Sequence, residues 1–311
     1  MNLTTKIEIT KQVELSYDNQ FLLVGSCFTE NISKKLSQAF FRTAVNPFGV
    51  LYNPLSIAQM FNYILSNKRP ELVPYNGLWH SMLHHGSFSA SSKETTAEAV
   101  NRSIVEGQQA IKNADVLIIT FGTAWVYEQN GMIVSNCHKM PATSFVRRRL
   151  SVEHIANTWT ELMSHPQLQN KRFIFTVSPI RHLNDGLHEN QLSKSTLLLA
   201  IDKLTKMSGA EYFPSYEIVM DELRDYRFYA EDMLHISSTA VDYIWERFRD
   251  TYFSKNTQTE ILNMEKLYMR LQHRVMHQDT PESRTFNAKT TELIKKAAER
   301  YPWVMQTLIT E

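Results

Sequence analysis

Only two cysteines, Cys27 and Cys137, occur in the 311 residues. That is too few for a disulfide framework, so the expected setting is reducing and cytoplasmic. Glycine is also scarce, with 9 in all, less than half of what an average usage of about 7% gives. Neither G-x-G-x-x-G nor a P-loop is present, which removes both glycine-rich nucleotide motifs. A formal net charge of +1 offers no basis for nucleic-acid or acidic-membrane binding. Arg147-Arg148-Arg149 is the densest basic run and reads as a solvated surface. No apolar run approaches the roughly 20 residues of a membrane helix, and Met1–Thr10 lacks the apolar core of a secretory signal. No internal repeat or low-complexity tract is present. Two lone cysteines without C-x-x-C spacing argue against a zinc site. Adjacent His84 and His85 point in different directions in regular structure, which argues against a metal pair. No metal and no cofactor is expected.

What is present is a globular composition, 43% hydrophobic, enough for one large elaborated domain or two. Five short apolar segments read as buried strands: Phe21–Val24, Phe41–Val45, Asp115–Phe121, Arg172–Val177 and Tyr212–Val219. Helical spacing falls between several of them, over Glu30–Phe40, Ser56–Ser66, Ala97–Asn113, Val152–Ser164 and Gln191–Met207. Alternating strands and helices predict a mostly parallel sheet covered on both faces, a three-layer doubly wound α/β/α domain. Ser238–Tyr252 continues as a helix capped by Ser237, Ser238 or Thr239. From about Lys255 the chain reads as a helical extension. It holds Glu260–His277 and a second helix, joined by Gln278–Phe286. This extension either packs across the sheet domain or carries a homo-oligomer contact.

Four sequence positions carry chemistry. Gly25-Ser26-Cys27 follows the first strand and opens a helix, where free N–H groups and partial positive charge favour a thiolate. Taken alone, Cys27 reads first as a small residue packed under the helix. Asp232 stands three residues before His235, so the carboxylate can orient the imidazole as a general base. The alternative there is a helix-capping Asp. Phe121-Gly122-Thr123-Ala124-Trp125 and Asn46-Pro47-Phe48-Gly49 each follow a strand and offer close backbone approach and N–H donors; each is otherwise a plain turn. Strand-end positions of a parallel sheet share one edge, where ligand crevices form. Ser178–His182 follows the fourth strand, which places Arg181 and His182 near the same edge, Arg181 suited to a carboxylate or phosphate or else paired with a nearby acid. Trp79-His80, His84–Phe88 and Asn136–Lys139 are further candidates for shaping a pocket through His80, His85 and His138, or else polar loops.

Gly25-Ser26-Cys27-Phe28-Thr29 resembles the signature of the GSCFA-domain family of bacterial proteins, with Thr29 where the family has Ala. The resemblance extends through Asn46–Gly49, Thr120–Tyr127, Asn136–Lys139, Ser178–His182 and Tyr212–Glu217, and covers roughly Val13 to Phe253. It implies a branch of the SGNH, or GDSL-like, hydrolase superfamily, with a flavodoxin-like sheet. Carried over residue by residue, the nucleophile of Gly-Asp-Ser-Leu falls on Cys27 and its Asp on Ser26. Gly49 matches the second block's Gly, and Asp232 and His235 match the final D-x-x-H. Gly122-Thr123-Ala124 stands where the superfamily has Gly-x-Asn, so the oxyanion Asn is absent and Thr123, Trp125 or Asn46 are its substitutes.

The expected organisation is an SGNH-like domain over 1–254, with an insertion at about 66–112, and a helical extension over 255–311. The expected function is hydrolysis or transfer of an acyl group on a small-molecule or carbohydrate substrate. Cys27, or Ser26, would be the nucleophile, His235 the base and Asp232 its orienter. The backbone of Cys27 with Gly49, Thr123 and Asn46 would bind the oxyanion, and Gly122, Trp125, Arg181, His182, His80, His85 and His138 would contact substrate. The alternative is a catalytically degenerate binding module for an acylated or glycan ligand.

Overall fold

A computed structural model describes residues 4–11, 13–207, 209–273 and 280–310. In chain order, β1 (Gln20–Gly25), α1 (Cys27–Gln38) and β2 (Arg42–Val45) lead to α2 (Pro54–Leu65), the hairpin β3 (Leu72–Tyr75) and β4 (Leu78–Ser81), and α3 (Lys93–Asn113). Next come β5 (Val116–Phe121), a small sheet of β6 (Trp125–Gln129), β7 (Met132–Val134) and β8 (Val146–Arg149), then α4 (Val152–Met163), β9 (Arg172–Val177), α5 (Gly186–Leu204) and β10 (Ala210–Tyr212). The chain closes with α6 (Ser215–Glu217), α7 (Ser238–Tyr252), α8 (Lys255–Gln272), α9 (Pro281–Arg300) and α10 (Trp303–Thr310).

The central sheet is parallel, in the order β10-β9-β5-β1-β2. This is the flavodoxin-like order, and its direction reverses between β1 and β5, which is where such sheets open a ligand crevice. Successive residues point to opposite faces. Leu22, Val24, Leu117, Ile119 and Phe175 pack with residues of α2 to α5, whereas Phe21, Leu23, Val116, Ile118 and Ile174 pack with residues of α1 and α7 to α10. Burial of both faces explains why β1, β5 and β9 are near-continuous apolar runs.

The C-terminal helices join the second of these cores. Ile261, Leu267, Tyr301 and Val304 are buried there with Tyr17, Phe40 and Phe41, and Tyr17 lies between Phe41 at 4.2 Å and Tyr301 at 4.4 Å. The described residues of this extension thus pack across the sheet domain. Among the described residues, no helix is long and apolar enough to cross a membrane.

Several boundaries differ from expectation. The last strand ends at Tyr212 rather than running to Val219, because Pro214 cannot donate to a ladder; the chain then turns helical, through α6 and a π-helical stretch over Ile218–Leu223. Helix α1 begins at Cys27, not Glu30, which puts the cysteine in its first turn. Helix α9 begins at Pro281 behind the cap Thr280, so Phe286 is helical and not linker. Met1–Leu3, and Val275 and His277 of the expected Glu260–His277 helix with Gln278 and Asp279 beyond it, lie outside the described residues. The stretch 66–112 holds the β3–β4 hairpin and α3, whose Val100, Ile104 and Ile111 are buried in the core.

Candidate active site

The turn after β1 is set by Gly25, whose φ of +150° disfavours an L side chain. A Cβ there would lie 2.3 Å from the Thr120 carbonyl and 2.8 Å from Thr29 Oγ1. The tight approach turns the chain directly into α1, with Ser26 as N-cap and Cys27 as the first helical residue. Cys27 lines a cleft of about 430 Å³ together with Tyr52, Thr123, Trp125, His182 and His235. Ser26 does not: it is 2% exposed, and its Oγ is buried without a hydrogen-bond partner.

The other half of the cleft comes from the loop before α7. His235 Nδ1 lies 2.5 Å from Asp232 Oδ2, and Asp232 Oδ1 accepts the backbone N–H groups of Leu234 and His235, each at 2.9 Å. These donors hold the Asp232 carboxyl down at about 2, the side-chain bond from His235 contributing most. The loop is pinned by a bridge between Tyr229 and Ile236 and by Arg181 N–H donating to Leu234 O at 3.2 Å. Met233 takes a left-handed backbone, φ +58°, to close it. A thiol and an Asp-oriented imidazole thus line one cleft at the topological switch point.

The model of the GSCFA family matches residues 20–248. The chain belongs to the GSCFA family. No curated protein matches it in sequence.

Electrostatics in this GSCFA chain depart from the expected low-pKa thiol. Burial pushes Cys27 up. The backbone N–H groups of Cys27 and Phe28 at the helix start and the Lys194 ammonium pull it down, and Glu30 pushes it up further. The helix terminus acts in the anticipated direction, but desolvation outweighs it.

Lys194 itself escaped the sequence reading. It is fully buried on α5 and donates to Gly122 O and Ser178 O, both at 2.7 Å. These carbonyls sit just past β5 and β9, so one ammonium ties two site loops together. Burial first, and then the Arg181 charge, lower it to about 7. The available signal was its place in the stripe Lys194, Leu197, Ile201, Leu204, a lysine on the buried face of a helix. Tyr52, Asn53, Arg147 and Asp185 also line the cleft unanticipated. Arg147 is exposed, as expected, but its guanidinium lies 4.3 Å over the Trp125 ring and pairs with Asp185.

The expected oxyanion and substrate residues scatter. Thr123 lines the cleft, but its N–H and that of Gly122 both donate to Tyr52 O, at 2.9 and 2.8 Å. The Thr123 hydroxyl receives Trp125 N–H at 3.1 Å and meets Ser193 Oγ at 3.2 Å. Gly49 lies outside the cleft. Its N–H donates to Asn46 O at 2.7 Å, and its backbone lies flush against His85. Asn46 accepts Gly25 N–H through Oδ1, and its Nδ2 is buried without a partner, also away from the cleft lining. Trp125 lines the cleft with its indole Nε1 unpartnered, and Arg181 and His182 line it too. Burial drives His182 down to about 4, so its ring is neutral.

His80, His85 and His138 do not reach the cleft. His80 bonds Ser89 Oγ at 2.7 Å and stacks on His138 at 4.4 Å, and His138 Nε2 bonds Ser81 O at 2.9 Å. His85 bonds Ser87 Oγ at 3.0 Å. These imidazoles hydrogen-bond within the hairpin region and its neighbours and do not line the cleft. Among the described residues, no group of three or more His, Cys, Asp or Glu side chains could hold a metal ion. A larger cavity of about 640 Å³ follows the edge strand β2 between α3 and α10, but no Cys or His lines it.

Proposed function

We propose that this chain is an SGNH-like hydrolase or acyltransferase working through a thioester on Cys27. The observation that carries the reading is the His235–Asp232 pair at 2.5 Å on the wall of the cleft that Cys27 also lines. With Nδ1–H held by Asp232, a neutral His235 presents Nε2 as a proton acceptor. Cys27 Sγ attacks the acyl carbonyl and its proton passes to His235. The carbon–oxygen bond to the leaving group breaks, and His235 returns the proton to that leaving alcohol. Water or a second nucleophile then cleaves the thioester. The Cys27 backbone N–H, at the start of α1, is the first oxyanion donor. Thr123 Oγ1–H is the candidate for the second, in place of Gly49 and Asn46.

Deprotonation in concert with attack suits a thiol whose resting pKa is raised, because a base is then needed. The same raised pKa favours the second reading, a binding module with an inert thiol. Intact-mass analysis after exposure to a p-nitrophenyl ester separates the two. The enzyme reading requires an acyl adduct that maps to Cys27, is abolished in Cys27→Ala, and forms at least ~100-fold more slowly in His235→Ala. Absence of any adduct, with ester binding unchanged in His235→Ala, establishes the binding module.

A further inference from the structure

A second groove, of about 390 Å³, runs beside the Cys27 cleft and shares Arg181, Leu183 and Leu234 with it. Its walls are apolar: Leu187, Val219, Met220 and Met233 among them. Leu183, Leu187, Tyr226 and Met233 are 52%, 59%, 77% and 51% exposed, and all four line this one groove. Large apolar side chains gathered at the surface mark binding sites rather than chance exposure.

Arg181 stands where the groove meets the cleft, and among the described residues it forms no ion pair. Its Nε is buried without a partner, and its Nη1 faces only the Met220 sulfur at 3.6 Å, a weak acceptor. The charges facing it do not compensate it. Lys194 brings no negative charge to it, and the groove's own carboxylate, Asp225, is held by Arg227 through Nη2 at 2.8 Å and the backbone N–H at 2.9 Å. Arg224 adds a second cation to the rim. A half-buried guanidinium with five donors and no acceptor is costly unless something supplies one.

We infer that the groove binds the anionic, apolar end of the substrate. A carboxylate or phosphate would rest on Arg181, and an aliphatic or aromatic body would lie along Leu183, Leu187, Val219 and Met233. Its link to chemistry rests on the acyl-transfer reading, because the groove opens into the cleft at Arg181 and Leu234. The ligand class is thus an anionic amphiphile whose reactive carbonyl reaches Cys27.

Calorimetric titration of the full chain with octanoate, octyl phosphate, octanol, octylammonium, acetate and inorganic phosphate tests the groove without requiring turnover. Octanoate or octyl phosphate should bind about tenfold or more tighter than octanol and octylammonium, and tighter than acetate or inorganic phosphate. The stronger of the two identifies which anion is natural. Arg181→Gln should erase the anion preference. Leu187→Glu, at an exposed position on α5, should weaken octanoate by about tenfold. Equal binding of octanol and octanoate, or octanoate affinity unchanged in both variants, overturns the proposal. Rates with p-nitrophenyl acetate and the mono-p-nitrophenyl ester of octanedioic acid keep the two readings apart. Turnover of both esters at equal kcat/KM without octanoate binding sinks the groove and keeps the enzyme. Selective octanoate binding with no turnover of either ester sinks the enzyme and keeps the groove.

Discussion

The two halves of the candidate site are built in opposite ways. The Cys27 half is tertiary: Gly25 packs on Thr120 from β5, and Lys194 reaches from α5 to carbonyls beyond β5 and β9. The Asp232–His235 half is local, with every hydrogen bond to the carboxylate coming from within three residues. It is also open, with side chains 45% and 53% exposed. A short exposed loop suffices to set a tautomer, because that takes one well-placed acceptor. Setting the character of a thiol takes burial, a helix start and a fixed cation together, and these come from parts of the chain far apart. The contrast says that lesions in the open half should cost rate alone, while lesions in the buried half should cost rate and stability together.

The sharpest break in that contrast is Asp232→Asn. If the enzyme reading holds, acylation of Cys27 should fall by ~10³–10⁴, while the urea midpoint stays put, since the side chain is exposed. A large loss of stability would show the loop to be structural. Lys194→Met should do the reverse. It orphans two buried carbonyls, and the urea-derived stability should drop by roughly 2–4 kcal/mol. Its pH dependence follows from a folded pKa of about 7, below the usual 10.5. Between those values the unfolded chain holds more protons, so the lysine's destabilising cost is full below pH 7 and is relieved as pH rises toward 10. Wild-type stability, measured against Lys194→Met by parallel urea titrations, should therefore gain over that window; a flat difference would mean the ammonium is not desolvated. Arg147→Ala, which removes the guanidinium stacked on Trp125, should raise KM by about three- to tenfold with little change in kcat. The smallest effect belongs to Glu30→Gln. Glu30 pushes the Cys27 pKa up, so the pH midpoint for alkylation of the free thiol should move down by a fraction of a unit.

Much of the scaffold is legible in the chain because parallel strands buried on both faces are continuous apolar runs. Arg172–Val177 and Ser238–Tyr252 form the strand and helix that periodicity predicts, end for end. The two small sheets are absent from that reading although their turns are written plainly. Asn76-Gly77 and Asn130-Gly131 both take left-handed backbones, with φ of 47° and 76° and of 51° and 76°, as two-residue hairpins require. Their strands are short and half exposed, so an apolar-run criterion passes over them. The strand ending at Tyr212 was overextended for the opposite reason: Ile218 and Val219 are β-branched and buried, but in a helix. In the site, the D-x-x-H pair and the Gly25–Cys27 elbow depend on neighbours in the chain and could be named from it. Tyr52 and Arg147 reach the cleft from distant parts of the chain, Lys194 lies buried beneath it, and Gly49 and Asn46 are turned away from it by contacts with His85 and Gly25.

From order and composition alone came the parallel α/β layering, the strand-to-helix elbow and the carboxylate–imidazole pair, since each rests on periodicity or on spacing of a few residues. The tertiary fold decided that Ser26 is buried while Cys27 is not, that three histidines lie away from the cleft, and that a buried lysine sits beneath the site. It also decided that desolvation outweighs the helix terminus at the thiol. Those outcomes depend on which distant atoms surround a group and how much water they exclude, and neither is a property of the residues beside it in the chain.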